Sequence, residues 1–230
     1  MKEVSLWTTL FLTFKVASVT TFFLILLGTP FAYWVSQRRG TKRAILEAIV
    51  SLPLVLPPTV LGFYLLMAMG PEGPIGLLTD FLGIKPLTFS FSGLVVGSFF
   101  YSLPFALQPL IHGFSDEKLK GPLEAAAALG ANPWDRFFSI TFPLCQRQFL
   151  MATTLSFAHT VGEFGVILMI GGNIPGLTQL ASLAIYNHVE TMEYGKAHEI
   201  SFIMLFLSFG LLALVHKLNR KWELVKGGES

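Results

Sequence analysis

The sequence predicts an all-α integral membrane protein with about five transmembrane helices, and three observations carry that prediction. Of the 230 residues, 53% are hydrophobic and only 13% are charged, whereas charged residues make up about a quarter of an average soluble domain. The apolar residues gather into five long stretches, and most lysines and arginines lie between them. A bilayer core needs about 20 consecutive apolar residues per helix, so each stretch can form one crossing.

Polar segments separate the five predicted spans. The spans cover residues 16–35, 48–69, 89–111, 149–170 and 200–217. Up to Val215, Glu163 is the one formally charged residue inside these windows, with histidine counted as neutral. No linker, low-complexity segment or internal repeat divides the chain, so residues 1–230 are predicted to form a single membrane domain.

Lysine and arginine are distributed unevenly among the polar segments. Residues 38–43, the loop 112–148 and the tail from 216 hold four each, and the rest of the chain holds the other four. Because cytoplasmic loops are enriched in these residues, the bias predicts an external N-terminus, a cytoplasmic C-terminus and a cytoplasmic 112–148 loop. We expect residues 4–14, before Lys15, to rest on the lipid headgroups.

Prolines fall inside the second and third spans, at 53, 57 and 58 and at 104 and 109. Each proline removes a helical hydrogen bond and can kink the chain. Neighbouring helices can absorb such kinks, or the bent helices can line a pore, and the pattern favours neither reading. Pro57, Pro58 and Thr59 are therefore candidates for the pathway or its gate.

The 112–148 loop contains start and stop signals for two short helices. Gly121 can cap a first helix, Pro122 suits its first position, and Glu124 falls in the first turn, where the helix dipole favours a negative charge. Gly130 can end that helix in a left-handed conformation. Asn132, followed by a proline, then repeats the start signal for a second helix that runs to residue 139.

The spacing in this loop resembles the EAA loop of type I ABC importer permeases. The matching residues are Glu124, Ala125, Ala126, Gly130, Ile140 and Pro143. Phe142 departs from the family pattern, which has leucine there. The resemblance implies that these residues form the cytoplasmic coupling helix on which an ATPase subunit docks.

The family resemblance also implies the partners of this chain. It implies a homodimer in a bacterial inner membrane, two cytoplasmic ABC ATPase subunits that bind ATP and Mg²⁺, and a periplasmic oxyanion-binding protein. This chain itself is expected to bind no cofactor, metal or nucleic acid and to catalyse no reaction. The segments 51–62, 162–165 and 171–176 look like the molybdate permease branch, with tungstate or sulfate as the alternative cargo.

The expectation that ATP binds elsewhere agrees with the residues of the one phosphate-loop candidate. The run from Gly171 to Thr178 has the two glycines and the threonine that the motif requires, but Leu177 occupies the position of the phosphate-binding lysine. We therefore expect this run to end the fourth span and turn the chain.

Glu163 and His159 are candidates for a gate, a proton relay or a structural pair whose members satisfy each other. An ionisable residue inside the membrane is a functional hypothesis by default, and in a continuous helix the two side chains lie one turn apart on the same face. A proton-coupled secondary transporter using this pair is the alternative function, and a passive membrane scaffold is another. Since no span core contains lysine or arginine, we expect the binding protein rather than the pore to select an oxyanion.

Overall fold

The computed structural model describes residues 5–227, apart from the side chains at 216 and 218–227. Within those residues the regular structure is helical and no strand is present, so the all-α prediction is confirmed. The helices are α1 (Leu6–Ser36), α2 (Gly40–Val55), α3 (Pro58–Met69), α4 (Pro74–Phe81), α5 (Phe91–Phe114), α6 (Lys120–Ala128), α7 (Pro133–Arg136), α8 (Phe142–Leu144), α9 (Gln146–Val161), α10 (Gly165–Gly171), α11 (Ala181–Glu190) and α12 (Tyr194–Gly227).

Four helical segments of the described chain are long and apolar enough to cross a membrane. They are Leu6–Ser36, Pro58–Phe81, Phe91–Phe114 and Tyr194–Val215, and the pair α9 and α10, bent by 61°, makes a fifth when counted as one span. The fold therefore agrees with about five crossings. The orientation of the termini stays a prediction, and the basic side chains at 2, 220, 221 and 226 lie outside the described part.

The first helix corrects the expectation that residues 4–14 form a separate segment on the headgroups. Residue 4 lies outside the described residues, and from Leu6 onward the chain is one helix of 31 residues. Its first turns are fixed by packing, because Leu10 is buried against α11 and α12 together with Ala184 and Ile200. At 1.5 Å per residue α1 is about 46 Å long, more than the roughly 30 Å hydrocarbon core.

The predicted second span over 48–69 is also corrected. The chain is helical to Val55 and extended at Leu56 and Pro57, and a new helix begins at Pro58. Two successive residues precede a proline, and each is therefore driven from the helical to the extended conformation. The apolar crossing segment begins at the second of these prolines and runs through α4 to Phe81.

The centre of the bundle is formed by α1, α5 and α9. A buried cluster joins Val35 of α1, Leu107 and Leu110 of α5 and Ala152 of α9. Gly28 brings α1 and α5 close together, since a Cβ at this position would lie 2.9 Å from the Leu107 side chain. These three helices hold the 112–148 loop at one end and the α9–α10 break toward the other.

The short helix α10 packs against α3 at two glycines. A Cβ at Gly62 would lie 2.9 Å from the Met169 Cβ, and a Cβ at Gly165 would lie 2.8 Å from the Pro58 Cβ. Both helices begin just after a break in a membrane segment. The two breaks are therefore in direct contact.

Candidate functional site

The first helix of the 112–148 loop begins earlier than the sequence predicted. A 3₁₀ turn over Glu117–Leu119, whose Asp116 side chain accepts a hydrogen bond from the Lys118 backbone N–H, leads into α6 at Lys120. Gly121 is thus inside the helix and is not its cap. Pro122 still falls among the first residues, whose N–H groups have no partner within a helix, so it is tolerated there.

Gly130 ends α6 as predicted, in the left-handed conformation with φ of +82°. The Ala131 N–H donates to the Ala126 carbonyl and the Gly130 N–H donates to the Ala127 carbonyl, each at 3.0 Å. These two bonds form a Schellman motif, which satisfies carbonyls that the helix end leaves open. A Cβ at Gly130 would meet no atom within 4 Å, so backbone conformation and not crowding requires glycine.

The second helix of the 112–148 loop starts at the predicted position. The Asn132 side chain accepts a hydrogen bond of 2.9 Å from the Asp135 backbone N–H, and a proline occupies the first helical position of α7. The chain then widens into a π-helical turn over Phe137–Thr141 before α8. The Phe137 ring packs edge-on against Tyr33 at 6.0 Å and so anchors this segment to the bundle.

The segment from α6 to α8 carries exposed large apolar side chains, a feature that the spacing match did not reveal. Leu129, Trp134 and Phe138 are 88%, 73% and 60% exposed, and the two aromatic rings stack at 6.2 Å. The available signal in the sequence was the four-residue spacing of the aromatic pair, which places both rings on one helical face. We call Leu129, Trp134 and Phe138 the outer patch.

Residues of the EAA-like match divide between exposed and anchored positions. Glu124 and Ala125 are exposed, Ala126 is half-buried, and within the described chain Glu124 makes no ion pair. Ile140 and Pro143 are half-buried where the segment joins the bundle. Phe142, the departure from the family pattern, packs against Phe149 at 5.0 Å.

Glu163 is separated from His159 by the end of a helix, which corrects their predicted pairing. Helix α9 ends at Val161, so Glu163 lies in the break before α10. Its side chain is 2% exposed, and among the described residues neither carboxyl oxygen has a hydrogen-bond partner. The Ser98 hydroxyl lies beside the carboxyl but outside hydrogen-bond geometry.

The His159 ring is turned toward α5. Its Nδ1 lies 2.9 Å from the Ser102 hydroxyl oxygen, which in turn lies 2.9 Å from the Thr160 hydroxyl. The imidazole also stacks on Phe105, with ring centroids 4.0 Å apart. His159 therefore belongs to a hydrogen-bonded group between α5 and α9.

The remaining gate candidates lie at the break before α3. Pro57 and Thr59 are exposed in the single chain, and Pro58 is half-buried against Gly165. The structure thus brings this break and the Glu163 break together, although they are more than 100 positions apart in the sequence.

The rejected phosphate-loop candidate forms a closed turn. Gly172 adopts φ of +63°, and the Thr178 hydroxyl donates to the Gly171 carbonyl and accepts from the Ile174 N–H. The Thr178 hydroxyl therefore makes both of these hydrogen bonds within the turn. The run thus ends α10 and redirects the chain toward α11.

Comparison with known proteins gives a consistent family. Residues 24–224 match the family described as binding-protein-dependent transport system inner membrane component. The molybdenum transport system permease protein ModB of Azotobacter vinelandii is 52% identical over 209 residues, which cover 91% of this chain and 92% of that protein. The probable sulfate transport system permease protein cysT of Zygnema circumcarinatum is 32% identical over 214 residues, 92% of this chain and 72% of that protein.

A solved structure shares the fold at low sequence identity. It is a bacterial ABC transporter involved in the import of the acidic polysaccharide alginate, with a TM-score of 0.75 and 14% identity. The match covers 93% of this chain and 78% of that chain.

Proposed function

Because the chain belongs to the family of binding-protein-dependent transport system inner membrane components, we propose that it is the transmembrane permease subunit of an ATP-driven molybdate importer. It is a multi-pass membrane protein of the inner membrane. In the proposed importer a homodimer of this chain forms the translocation path. Two ATPase subunits dock on its cytoplasmic side, and a periplasmic binding protein delivers the anion.

The observation that carries the coupling role is the build of the segment from α6 to α8. Its inner side is tied to the bundle by Phe137 and by Leu123, which packs on the cluster of α1, α5 and α9. Its outer side presents the exposed outer patch. A displacement of this segment by a bound partner would therefore be transmitted directly to the helices that span the membrane.

The energy for transport must come from a partner. To shift a two-state bundle from 1:99 to 99:1 requires about 5.5 kcal/mol of differential binding, whereas an isolated helix as short as α6 is marginal in water. Nucleotide-driven closure of two ATPase subunits, which bind ATP and Mg²⁺, supplies this energy in the proposed cycle. Glu124 offers a charge for a cation of the ATPase.

Sequence similarity favours molybdate as the cargo. The molybdenum permease relative is 52% identical over most of both chains, while the sulfate permease relative is 32% identical. Tungstate has the same charge and tetrahedral shape as molybdate and is the alternative within the same site. The predicted span windows up to Val215 hold no lysine or arginine, and Lys15 of α1 lies over the Phe91 ring, so we assign selection among oxyanions to the binding protein.

The homodimer is supported by apolar surface that the single chain leaves uncovered. Only 6% of the apolar stretch of α12 is buried, and α3 exposes Phe63, Tyr64 and Met67. A second copy and lipid together would cover these surfaces.

The rival proton-coupled transporter receives less support from the site. A relay through His159 and Glu163 needs the two groups to exchange a proton, but His159 is bonded to Ser102 and the Glu163 carboxyl has no bond to it among the described residues.

Reconstitution tests the proposed function. The chain is purified with its ATPase partner, placed in proteoliposomes and supplied with binding protein, and ATP hydrolysis and molybdate uptake are measured. We expect molybdate to stimulate both, with tungstate equal or weaker and sulfate weakest. Uptake that collapses with an uncoupler but persists with a hydrolysis-deficient ATPase would contradict the proposal and favour the secondary transporter.

A further inference from the structure

Glu163 is a buried acidic side chain in a membrane-crossing segment, and the coupling mechanism does not use it. It lies in the three-residue break between α9 and α10, is 2% exposed, and has no hydrogen-bond partner for either carboxyl oxygen among the described residues. The neighbouring Ser98 hydroxyl is fully buried and also without a partner. Burying an ionised carboxylate without a compensating charge or hydrogen bond is strongly unfavourable.

The helices around Glu163 contribute no compensating cation. From α5, Tyr101 is the titratable side chain that faces it. Helix α10 contains no acidic or basic residue, and Tyr64 is the one titratable residue of α3. On α1 the Lys15 ammonium lies over the Phe91 ring, 4.7 Å from its centroid.

The titratable side chains of α11 have partners other than the Glu163 carboxyl. His188 pairs with Glu193 at 2.7 Å, and Glu190 accepts a hydrogen bond from the Tyr186 hydroxyl. From α11, Ser182 donates to the backbone carbonyl of Glu163 at 2.6 Å and leaves the carboxyl untouched. The Tyr186 ring of the same helix packs against Phe164 of the break at 5.0 Å.

The hydrogen bonds around His159 show that its Nδ1 proton is not donated to Glu163 either. The Thr160 hydroxyl donates its proton to the Ser156 carbonyl at 2.9 Å, so the bond between Thr160 and Ser102 must use the Ser102 proton. Ser102 then accepts at its oxygen from the Nδ1–H of His159. The His159 proton is committed to Ser102, and this chain of donors runs away from the break.

We infer that Glu163 is a proton-binding site inside the membrane domain, neutral in the conformation described here and able to ionise when the α9–α10 break opens to water. The adjoining Gly162 is exposed in the single chain, so no other described part of this chain covers the break at that point. The break joins two helices at a bend of 61°. Gly162 has no side chain that could cover the break. A change in this bend would therefore change the solvation of Glu163 directly.

The consequence for transport rests on the proposed function. A dianion that passes a neutral carboxylic acid meets a hydrogen-bond donor, whereas one that passes an ionised carboxylate is repelled. The proton on Glu163 would thus permit passage. Uptake should fall as pH rises through the titration of this group, by up to about tenfold per pH unit, because each unit changes the protonated-to-ionised ratio tenfold.

Infrared spectroscopy tests the proton itself, without any transport. The full complex of this chain with its ATPase partner is placed in lipid nanodiscs at neutral pH, where exposed carboxyl groups are ionised and do not absorb as carboxylic acids. We expect a carboxylic-acid C=O band that disappears in Glu163→Gln. The band should persist in the matched control Glu47→Gln, because Glu47 is partly exposed and paired with Arg43. Identical bands in wild type and Glu163→Gln would overturn the inference.

The consequence is tested by the ratio of molybdate uptake at pH 6 to uptake at pH 9. In Glu163→Gln we expect this uptake ratio to approach the ratio of ATP hydrolysis rates that the isolated ATPase shows at the same two pH values. In wild type and Glu47→Gln we expect the uptake ratio to be several-fold larger. An unchanged ratio in Glu163→Gln, or a correctly assembled Glu163→Gln complex that imports nothing, would overturn the gating role. Absence of uptake in wild type would instead contradict the proposed function and would leave the infrared result standing.

Discussion

Substitution of Gly130 by alanine tests the backbone geometry between α6 and α7 without removing any exposed polar or large apolar side chain. The added methyl group meets no atom within 4 Å, so no steric clash arises. The cost is conformational, because φ of +82° places an L-residue in the left-handed region at about 1–2 kcal/mol. Any effect of Gly130→Ala therefore reports the requirement for the turn between α6 and α7.

This strain should appear in the affinity for the ATPase. Helix α6 has no buried residue, so in the free subunit the alanine variant can relieve the strain by leaving the Schellman geometry. Docking must then restore that geometry. A cost of 1–2 kcal/mol corresponds to a factor of about 5–30 in an equilibrium constant, and the dissociation constant of the ATPase complex should rise by that factor.

The assay is titration of the purified subunit in nanodiscs with labelled ATPase. Gly121→Ala is the matched control, because its methyl group also meets no atom within 4 Å and alanine favours a helix interior by about 1 kcal/mol over glycine. Gly130→Asn should recover part of the affinity, since asparagine tolerates the left-handed conformation. Equal affinities for wild type and Gly130→Ala, or equal losses in Gly121→Ala and Gly130→Ala, would refute the reasoning.

Three further substitutions probe the outer patch, the second helix cap and the contact between the breaks. Trp134→Ala should leave the melting temperature unchanged, since the ring is 73% exposed and stacks on Phe138. Trp134 is a central contact of the proposed docking surface, so its loss should weaken ATPase co-purification about tenfold or more. Unchanged co-purification would exclude Trp134 from the docking surface. Asn132→Ala removes a cap worth about 1 kcal/mol, so hydrogen exchange at the following turn should accelerate about fivefold, and an unaltered rate would show that the cap is dispensable. Gly165→Ala places a Cβ 2.8 Å from the Pro58 Cβ and should destabilise the protein by about 1–3 kcal/mol, measured as a lower melting temperature; a wild-type melting temperature would mean that the two breaks can separate freely.

The sequence predicts helix punctuation well where a single residue type sets the backbone conformation. Gly130 is left-handed, and Asn132 caps α7, because each effect depends on the residue itself. Gly121 misled the prediction because a helix start can be extended backward by a preceding turn. Here Asp116 supplies that turn through its bond to the Lys118 N–H.

Broken membrane helices were harder to predict from composition. Pro53 and Pro104 lie inside helices, while Pro57 and Pro58 lie where α2 ends and α3 begins. A window of apolar residues looks the same in both cases. The adjacency of two prolines was the distinguishing signal. The break at Glu163 has no proline, and it depends on tertiary contacts such as that between Gly165 and Pro58, which no local pattern encodes.

The contact between α3 and α10 also orders the biogenesis of the protein. Helix α10 has seven residues, too few to cross a bilayer, and backbone groups freed by its break cannot be left facing lipid. Helix α10 therefore needs the surface of α3 to pack against. Because residues 58–69 are synthesised before residues 165–171, we expect α3 to enter the membrane first and to provide the surface on which α10 packs.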